Sequence, residues 1–212
     1  MPASEVLVSN MALSHIGAKA NVSAISPPDG SVEAAHCARF FAQARQEMLE
    51  LGAWQFALKR ALLAEATNES DVWAYAYAVP SDCIRALRIL RAGAGQLTVF
   101  NQDTLAFDPT DDGGAPFTRE GDVLFTNEPE AVLVYVRDVS DTTKWTPSFA
   151  QALSYQLAGY LAGPIVKGAE GTKLADAMFS MAEGRAKRSA TASANAGTTQ
   201  HTFNPSSIAA RR

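Results

Sequence analysis

Apolar residues fall at Ala34, Cys37, Phe41, Ala44, Met48 and Leu51, at intervals of three and four, while Arg39, Gln43, Gln46 and Glu50 lie on another stripe. That spacing predicts a helix over 31–51 that buries one face along its whole length. Ser31 suits its N-cap, with Glu33 in the first turn, and Gly52 suits the left-handed position that ends a helix. The period then changes to two. Trp54, Phe56 and Leu58 alternate, and so do Trp73, Tyr75, Tyr77 and Val79, with Ala74, Ala76 and Ala78 on the other side. Period two predicts strands. A chain that hands a long helix to an aromatic-faced sheet puts helices and strands in separate layers.

The flanking pattern is consistent with this. Ser4 can cap a first helix over 4–17, with Leu7, Leu13 and Ile16 as its apolar contacts. Asn21 to Gly30 reads as a loop marked by Pro27-Pro28-Asp29-Gly30. Strands are expected over 54–63, with a bulge near Lys59-Arg60, then over 73–79 and 84–91. Short strands follow near 97–100 and 104–107, and Phe117–Arg119 and Val123–Phe125 flank a tight hairpin at Glu120-Gly121-Asp122. Ala131 to Arg137 alternates again and is expected to close the sheet. Trp145-Thr146-Pro147 is a helix start, a capping hydroxyl followed by proline at the first helical position. Phe149, Leu153, Gln156, Leu157 and Tyr160 share a face of that helix, which Pro164 should end or kink. A last helix is expected over 168–189 with Ala175, Met178, Phe179 and Ala182 inward. The Ala-Ser-Thr tract after it reads as a flexible connector.

The expected fold is therefore α+β: a helical bundle from the N- and C-terminal helices with an inserted antiparallel β domain and an extended C-terminal arm. The expected boundaries are 1–52 and 146–190 for the bundle, 53–145 for the insertion and 191–212 for the arm.

Composition narrows the chemistry. The 212-residue chain is 47% hydrophobic and 19% charged, ordinary for a protein with a real core. Its net charge of −4 makes no general case for nucleic-acid binding, but the charge is unevenly spread. After Glu183 there is no acidic residue, which leaves about +5 on that stretch and about −9 on the rest. Two cysteines, Cys37 and Cys83, make no disulfide framework, and Cys37 on the helix seam reads as reduced and buried. The N-terminus has no basic region followed by an apolar run, so no signal peptide is expected. Trp145 to Val166 is uncharged and long enough to span a bilayer, yet its Thr, Ser, Gln and Pro residues favour a buried or interface helix.

No phosphate loop, dinucleotide fingerprint or nucleophile elbow is present. His15, His36 and His201 share no metal-ligand spacing with each other or with the cysteines. His36 and Cys37 are adjacent, so on a helix they point about 100° apart and make no nucleophile–base pair. Asp108, Thr110, Asp112 and Gly113 match the start of a calcium loop, but Arg119 stands where a bidentate Glu is needed. Asp138 and Asp141 read as ion-paired or solvated carboxylates without an apolar surround to raise a pKa. No catalytic, cofactor-binding or metal-binding residue is assigned.

Several pieces of the chain, taken in order, resemble a known family. They are Ser9-Asn10-Met11-Ala12-Leu13-Ser14-His15-Ile16-Gly17, then Leu51 to Leu63, then Trp73 to Arg85, then Trp145-Thr146-Pro147-Ser148-Phe149 with the alanine-rich helix behind it. Their order and spacing resemble the tail tubular protein A family, the head-to-tail adaptors of short-tailed bacteriophages, over roughly residues 4–190. The resemblance implies a virion protein assembled in the host cytoplasm, with no enzymatic activity, no cofactor and no membrane. It implies a ring of about twelve copies closed by a head-to-tail interface between portal and tail nozzle or tail tube protein, with DNA passing through its centre without specific binding. Under this reading Phe203, Ile208, Arg211 and Arg212 of the arm contact the portal. The small-residue helix supplies subunit-interface candidates in Ala150, Gln151, Ser154 and Ala158. Two other readings stay open. One is a cell-wall (peptidoglycan) hydrolase acting during infection, which needs two carboxylates in a cleft. The other is a helical interaction protein of a host cytoplasm.

Overall fold

The computed structural model describes residues 3–90 and 114–196, with side chains to residue 188. Helix α1 is Glu5–His15 and α2 is Val32–Leu51. A 3-10 turn at Gln55–Ala57 leads into β1 (Leu58–Leu62), followed by β2 (Tyr75–Ala78) and β3 (Cys83–Leu90). After residue 113 come β4 (Gly114–Ala115), β5 (Phe117–Glu120), β6 (Val123–Thr126) and β7 (Val132–Arg137). A second 3-10 turn, Thr142–Lys144, precedes α3 (Pro147–Val166) and α4 (Gly168–Ala196). The fold is α+β, with helices from both ends of the chain and antiparallel strands between them.

The helix starts follow their capping residues. Ser4, Ser31 and Thr146 each accept a hydrogen bond from a backbone N–H three residues on, and Pro147 opens α3. The loop before α2 is organised by Asp29, whose carboxylate accepts from the backbone and hydroxyl of both Ser23 and Ser31. The seam of α2 is buried at Ala34, Cys37, Phe41, Ala44 and Met48, while Arg39, Gln43, Gln46 and Glu50 are exposed. At its last turn Leu49 is buried and Leu51 is 46% exposed, so the seam ends one register step away from the expected residue. In α1, Val8 and Ala12 join Leu13 and Ile16 in the core, and Leu7 faces outward.

Alpha-3 is the helix the others cover. It contacts α1, α2 and α4, and of its residues only Pro147, Ser148 and Gly163 are exposed. This explains why it carries no charge: a helix covered on all sides has no stripe on which a charge stays wet. Pro164 does not end it: the helix runs two residues further, to Val166, and is capped by Lys167 at φ +63°. Helix α4 packs antiparallel on α3. A Cβ on Gly159 would lie 2.5 Å from Phe179 Cε1, so the glycine is what lets that ring seat against α3. The helix continues to Ala196, so the Ala-Ser-Thr tract expected as a flexible connector is helical in its first part.

The strands form two sheets, in the orders β1-β7-β3-β4 and β2-β6-β5. Beta-7 lies inside the first sheet, between β1 and β3, where the sequence suggested a closing edge. Its buried run Leu133–Val136 is that of a strand covered on both faces. Val136, with Leu58, Ile84 and Leu87, joins the helical core, while Leu133, Tyr135 and Ile89 turn the other way onto Tyr77 and Leu124 of the second sheet. The layers are therefore helices, sheet, sheet. The bulge expected at Lys59-Arg60 is absent, since β1 pairs with β7 without a shift. The irregularities lie in β3, at Cys83/Arg85 and Ala86/Arg88. The hairpin at Glu120-Gly121-Asp122 joins β5 to β6 as expected. The strands expected at 97–100 and 104–107, and most of the calcium-like stretch, lie outside the described residues. Among the described residues, no helix is long and apolar enough to cross a membrane.

Candidate functional site at the junction of helices and strands

The chain leaves the bundle at Gly52–Trp54 and returns at Val139–Trp145. Each crossing is fastened by a tryptophan. Trp54 Nε1 donates to the carbonyl of Met48 at 2.8 Å, and Trp145 Nε1 donates to that of Val139 at 3.0 Å, each six residues back. Both indoles are buried and both meet Phe149 on the first turn of α3, edge-on, at centroid distances of 5.0 and 5.4 Å. Phe56 adds a third edge contact at 5.0 Å, and Phe41 stacks on Trp145 at 6.2 Å. Phe41 and Trp54 are core residues, at 4% and 2% exposure.

This cluster also accounts for two departures from the expected pattern. Gly52 is extended, at φ −128°, not left-handed. A Cβ there would lie 2.7 Å from Trp54 Nε1, so the glycine makes room for the indole folding back over the helix end. The alternation of Trp54 and Phe56 belongs to the 3-10 turn, whose aromatic rings point into the helical core, and the strand starts only at Leu58.

Beside the aromatic cluster runs a polar cleft. It consists of two hollows of about 470 Å³ each that share Glu47 and Glu50 of α2 as a common wall. The first is closed by Asp82 and Cys83 at the entry to β3 and by Asp138 after β7; the second reaches Arg85 and Gln156. Most of its carboxylates are held by named partners. Glu47 accepts from Tyr160 Oη at 2.6 Å, Gln156 Nε2 at 2.8 Å and Gln43 Nε2 at 3.0 Å. Burial pushes the Glu47 carboxyl up, and these three donors outweigh it, so its pKa is lowered. The same contact, after burial, drives the Tyr160 phenol up to about 12. Asp82 accepts from Tyr135 Oη at 2.7 Å and Lys59 Nζ at 2.8 Å; burial raises its pKa, but these donors lower it overall. Asp138 takes a two-pronged bond from Arg45, 3.1 Å from Nε and 2.9 Å from Nη2, and a third from Gln46.

A general acid needs a carboxyl kept protonated near neutral pH. Glu47 and Asp82 are both displaced the other way, toward the ionised form. Both carboxyls therefore stay ionised, while Asp82 and Asp138 are each matched by a cation, Lys59 and Arg45. Burial raises the Cys83 thiol, which is the direction of an inert sulfur. Among the described residues no group of His, Cys, Asp or Glu is placed to hold a metal ion.

The sequence-derived candidates fall in two places. Phe203, Ile208, Arg211 and Arg212 lie outside the described residues. Ala150, Gln151, Ser154 and Ala158, expected at a subunit interface, are covered within the chain itself. Ala150, Ser154 and Ala158 are buried, Ser154 Oγ meets His15 Nε2 at 3.0 Å, and Gln151 Oε1 accepts from Arg185 Nη1 at 2.8 Å. The close neighbours that the small residues admit are α1 and α4 of the same chain. Asp141 does not face Asp138 as a working pair; it caps the 3-10 turn through Thr143 and pairs with Lys144 at 3.3 Å. The Glu47 network went unnoticed in the sequence, though one signal existed: Gln156 and Tyr160, four apart on an otherwise apolar face, each bring a polar tip that needs a buried partner.

Comparison with known protein families and with curated proteins gave no match.

Proposed function

We propose that the protein is a head-to-tail adaptor of a short-tailed bacteriophage, a structural component that works by binding and not by turnover. The observation that carries this reading is where the resembling segments lie. Ser9–Gly17 forms the end of α1, Leu51–Leu63 the crossing into the β insertion, and Trp145–Phe149 the crossing back. The two crossings meet in one cluster on Phe149. Segments far apart in sequence are thus the ones that set the insertion against the bundle, which is the geometry an adaptor must hold constant from copy to copy. The acidic balance of residues 1–183 suits a channel protein that lets DNA slide past without gripping it. On this reading the chain forms a ring of about twelve copies through a heterologous interface. The ring sits between portal and tail nozzle, and Phe203, Ile208, Arg211 and Arg212 reach the portal.

The test is electron microscopy of the chain co-expressed with a candidate portal. The expected result is a ring of this chain stacked coaxially on the portal. Separate purification of the two proteins, with no stacked particle at any ratio, would overturn the proposal, as would peptidoglycan cleavage that persists through purification to homogeneity.

A further inference from the structure

We propose that the part of the first sheet left bare by the helices receives a second copy of this chain, and that it takes the acidic loop between β1 and β2 of that copy. The inference rests on the ring reading above and names the two surfaces that would close the ring. It starts from the two irregularities in β3. At each of them two successive residues turn toward the helices, Ile84 with Arg85 and Leu87 with Arg88. Bulges re-aim side chains in this way. Arg85 pairs with Val136, and Arg88 pairs with Val134, whose other neighbour is Arg60 of β1. The helical core reaches the row of Leu58 and Val136. Beyond it stand the row Arg60, Val134, Arg88 and then the row Leu62, Val132, Leu90, where Leu62 is 68% exposed. The Nε atoms of Arg85 and Arg88 are buried and have no hydrogen-bond partner among the described residues. Among those residues no ion pair holds any of the three arginines.

The matching surface belongs to the other sheet. From residue 61 to 84 the chain has no Lys or Arg, while Glu65, Glu69 and Asp71 are exposed. The loop that carries them is braced. Ser70 Oγ accepts from the backbone N–H of Val72 and Trp73 at 3.2 and 3.3 Å, and Asn68 Nδ2 donates to the Trp73 carbonyl at 2.7 Å. Asn127 Oδ1, just after β6, accepts from the Ala74 N–H at 3.0 Å and ties the loop to the second sheet. Val72 is 76% exposed beside Asp71, and no ion pair among the described residues engages Glu69 or Asp71. The loop thus offers two carboxylates and an apolar side chain in a fixed arrangement; the bare face offers guanidinium groups and Leu62. Arginine pairs carboxylates through a planar fork and is enriched at interfaces, and patches of opposite sign fix the register of two partners. The face lies on the helix side of the first sheet and the loop on the second sheet, so a contact between them is head-to-tail and can propagate round a ring. The exposed Leu62 and the Glu47 and Glu50 wall beside Arg85 suit a protein partner better than a phosphate backbone.

Charge reversal with rescue tests this on the full chain. One variant carries Arg60→Glu with Arg88→Glu, the other Glu69→Lys with Asp71→Lys. Sedimentation at rising concentration, alone and with the candidate portal, should show the native chain associating and each variant weakened about tenfold or more, since like charges then face each other. An equimolar mixture should recover the native association, because the reversed face meets the reversed loop and the native face meets the native loop. Circular dichroism checks that each variant folds. If Arg88→Glu prevents folding, the exposed Arg60→Glu alone takes the place of the pair. Variants that associate like the native chain, or a mixture without rescue, would overturn the inference and leave the ring reading standing. A native chain that stays monomeric both alone and with the portal would overturn both. Association that obeys the reversal and rescue without stacking on the portal would support the contact and count against the adaptor reading alone. Duplex DNA binding that Arg60→Glu with Arg88→Glu abolishes would assign the face to nucleic acid and overturn the proposal.

Discussion

The aromatic junction and the polar cleft lie side by side between the same two layers, and they are built on opposite principles. At the junction each polar atom of an aromatic ring is satisfied by a backbone carbonyl from its own crossing, as Trp54 and Trp145 show, and everything else is apolar. In the cleft the side chains satisfy one another across elements: α2 to α3 through Glu47, α2 to the end of β7 through Asp138, β1 to β3 and β7 through Asp82. The difference separates two tasks. Apolar burial at the junction supplies most of the energy that holds the insertion in one orientation. The cleft contributes less and stays open, so it keeps a charged face available at a fixed position. Three substitutions test that division, and pH distinguishes them, since the junction has no ionisable group among its five rings.

Phe149→Ala should have the largest effect. The ring is fully buried and touches Trp54, Phe56 and Trp145 at once, so its removal opens a cavity where both crossings meet. A loss of about 3–5 kcal/mol is expected, the range for a buried aromatic. Denaturant unfolding should return the same loss at about pH 5 and at about pH 8, because nothing in the cluster titrates there. A loss under about 1 kcal/mol would mean that the junction does not carry the orientation of the insertion.

Arg45→Met should cost less. Methionine preserves most of the apolar stem but removes both prongs on Asp138, leaving a partly buried carboxylate with Gln46 alone. The Arg45 side chain is 11% exposed and Asp138 29%, so water recovers part of the loss. About 1–3 kcal/mol is expected, the range for leaving a buried polar group without its partner. Removing both partners, as Arg45→Met with Asp138→Asn, should recover part of it. A double variant as unstable as the sum of the singles would show that the pair is not coupled, and that the cleft wall is held by packing alone.

The sequence showed the helices clearly because their signals are local. Ser31 with the seam from Ala34 to Met48, and Thr146 with Pro147, mark starts that tertiary context only confirmed. It showed the strands by their period but misplaced β7, since alternation says which face is buried and nothing about which strand lies alongside. Trp54 and Phe56 were read as a strand face because two aromatic residues at period two look the same in a strand and in a turn that folds back on a helix. The small residues of α3 were legible as a site of close approach, but not the identity of the neighbours, which proved to be α1 through His15 and α4 through Phe179. The cleft was the least legible part. Its members, Glu47, Asp82, Asp138 and Gln156, come from four separate stretches, and no spacing rule connects them.

Glu47→Gln should have the smallest effect at neutral pH and the most informative pH dependence. The amide oxygen of the variant would remain an acceptor for Tyr160 and Gln156, while its NH2 replaces the oxygen that accepts from the exposed Gln43, so the network would lose the charge and that outer bond. A difference of about 1 kcal/mol is expected at neutral pH, the gap between a charge-assisted and a neutral hydrogen bond. In the native chain the folded pKa of Glu47 is lowered below its ordinary 4.5. In the unfolded chain the carboxyl takes up its proton at the higher, ordinary value. The stabilisation is therefore complete above 4.5 and fades as pH falls through the folded value, where both states are protonated. Unfolding free energies of the two chains should converge on acidification, whereas the deficit of Phe149→Ala persists for as long as the chain stays folded. A Glu47→Gln deficit that is constant across that range would show that Glu47 acts through packing, and would remove the electrostatic distinction between the cleft and the junction.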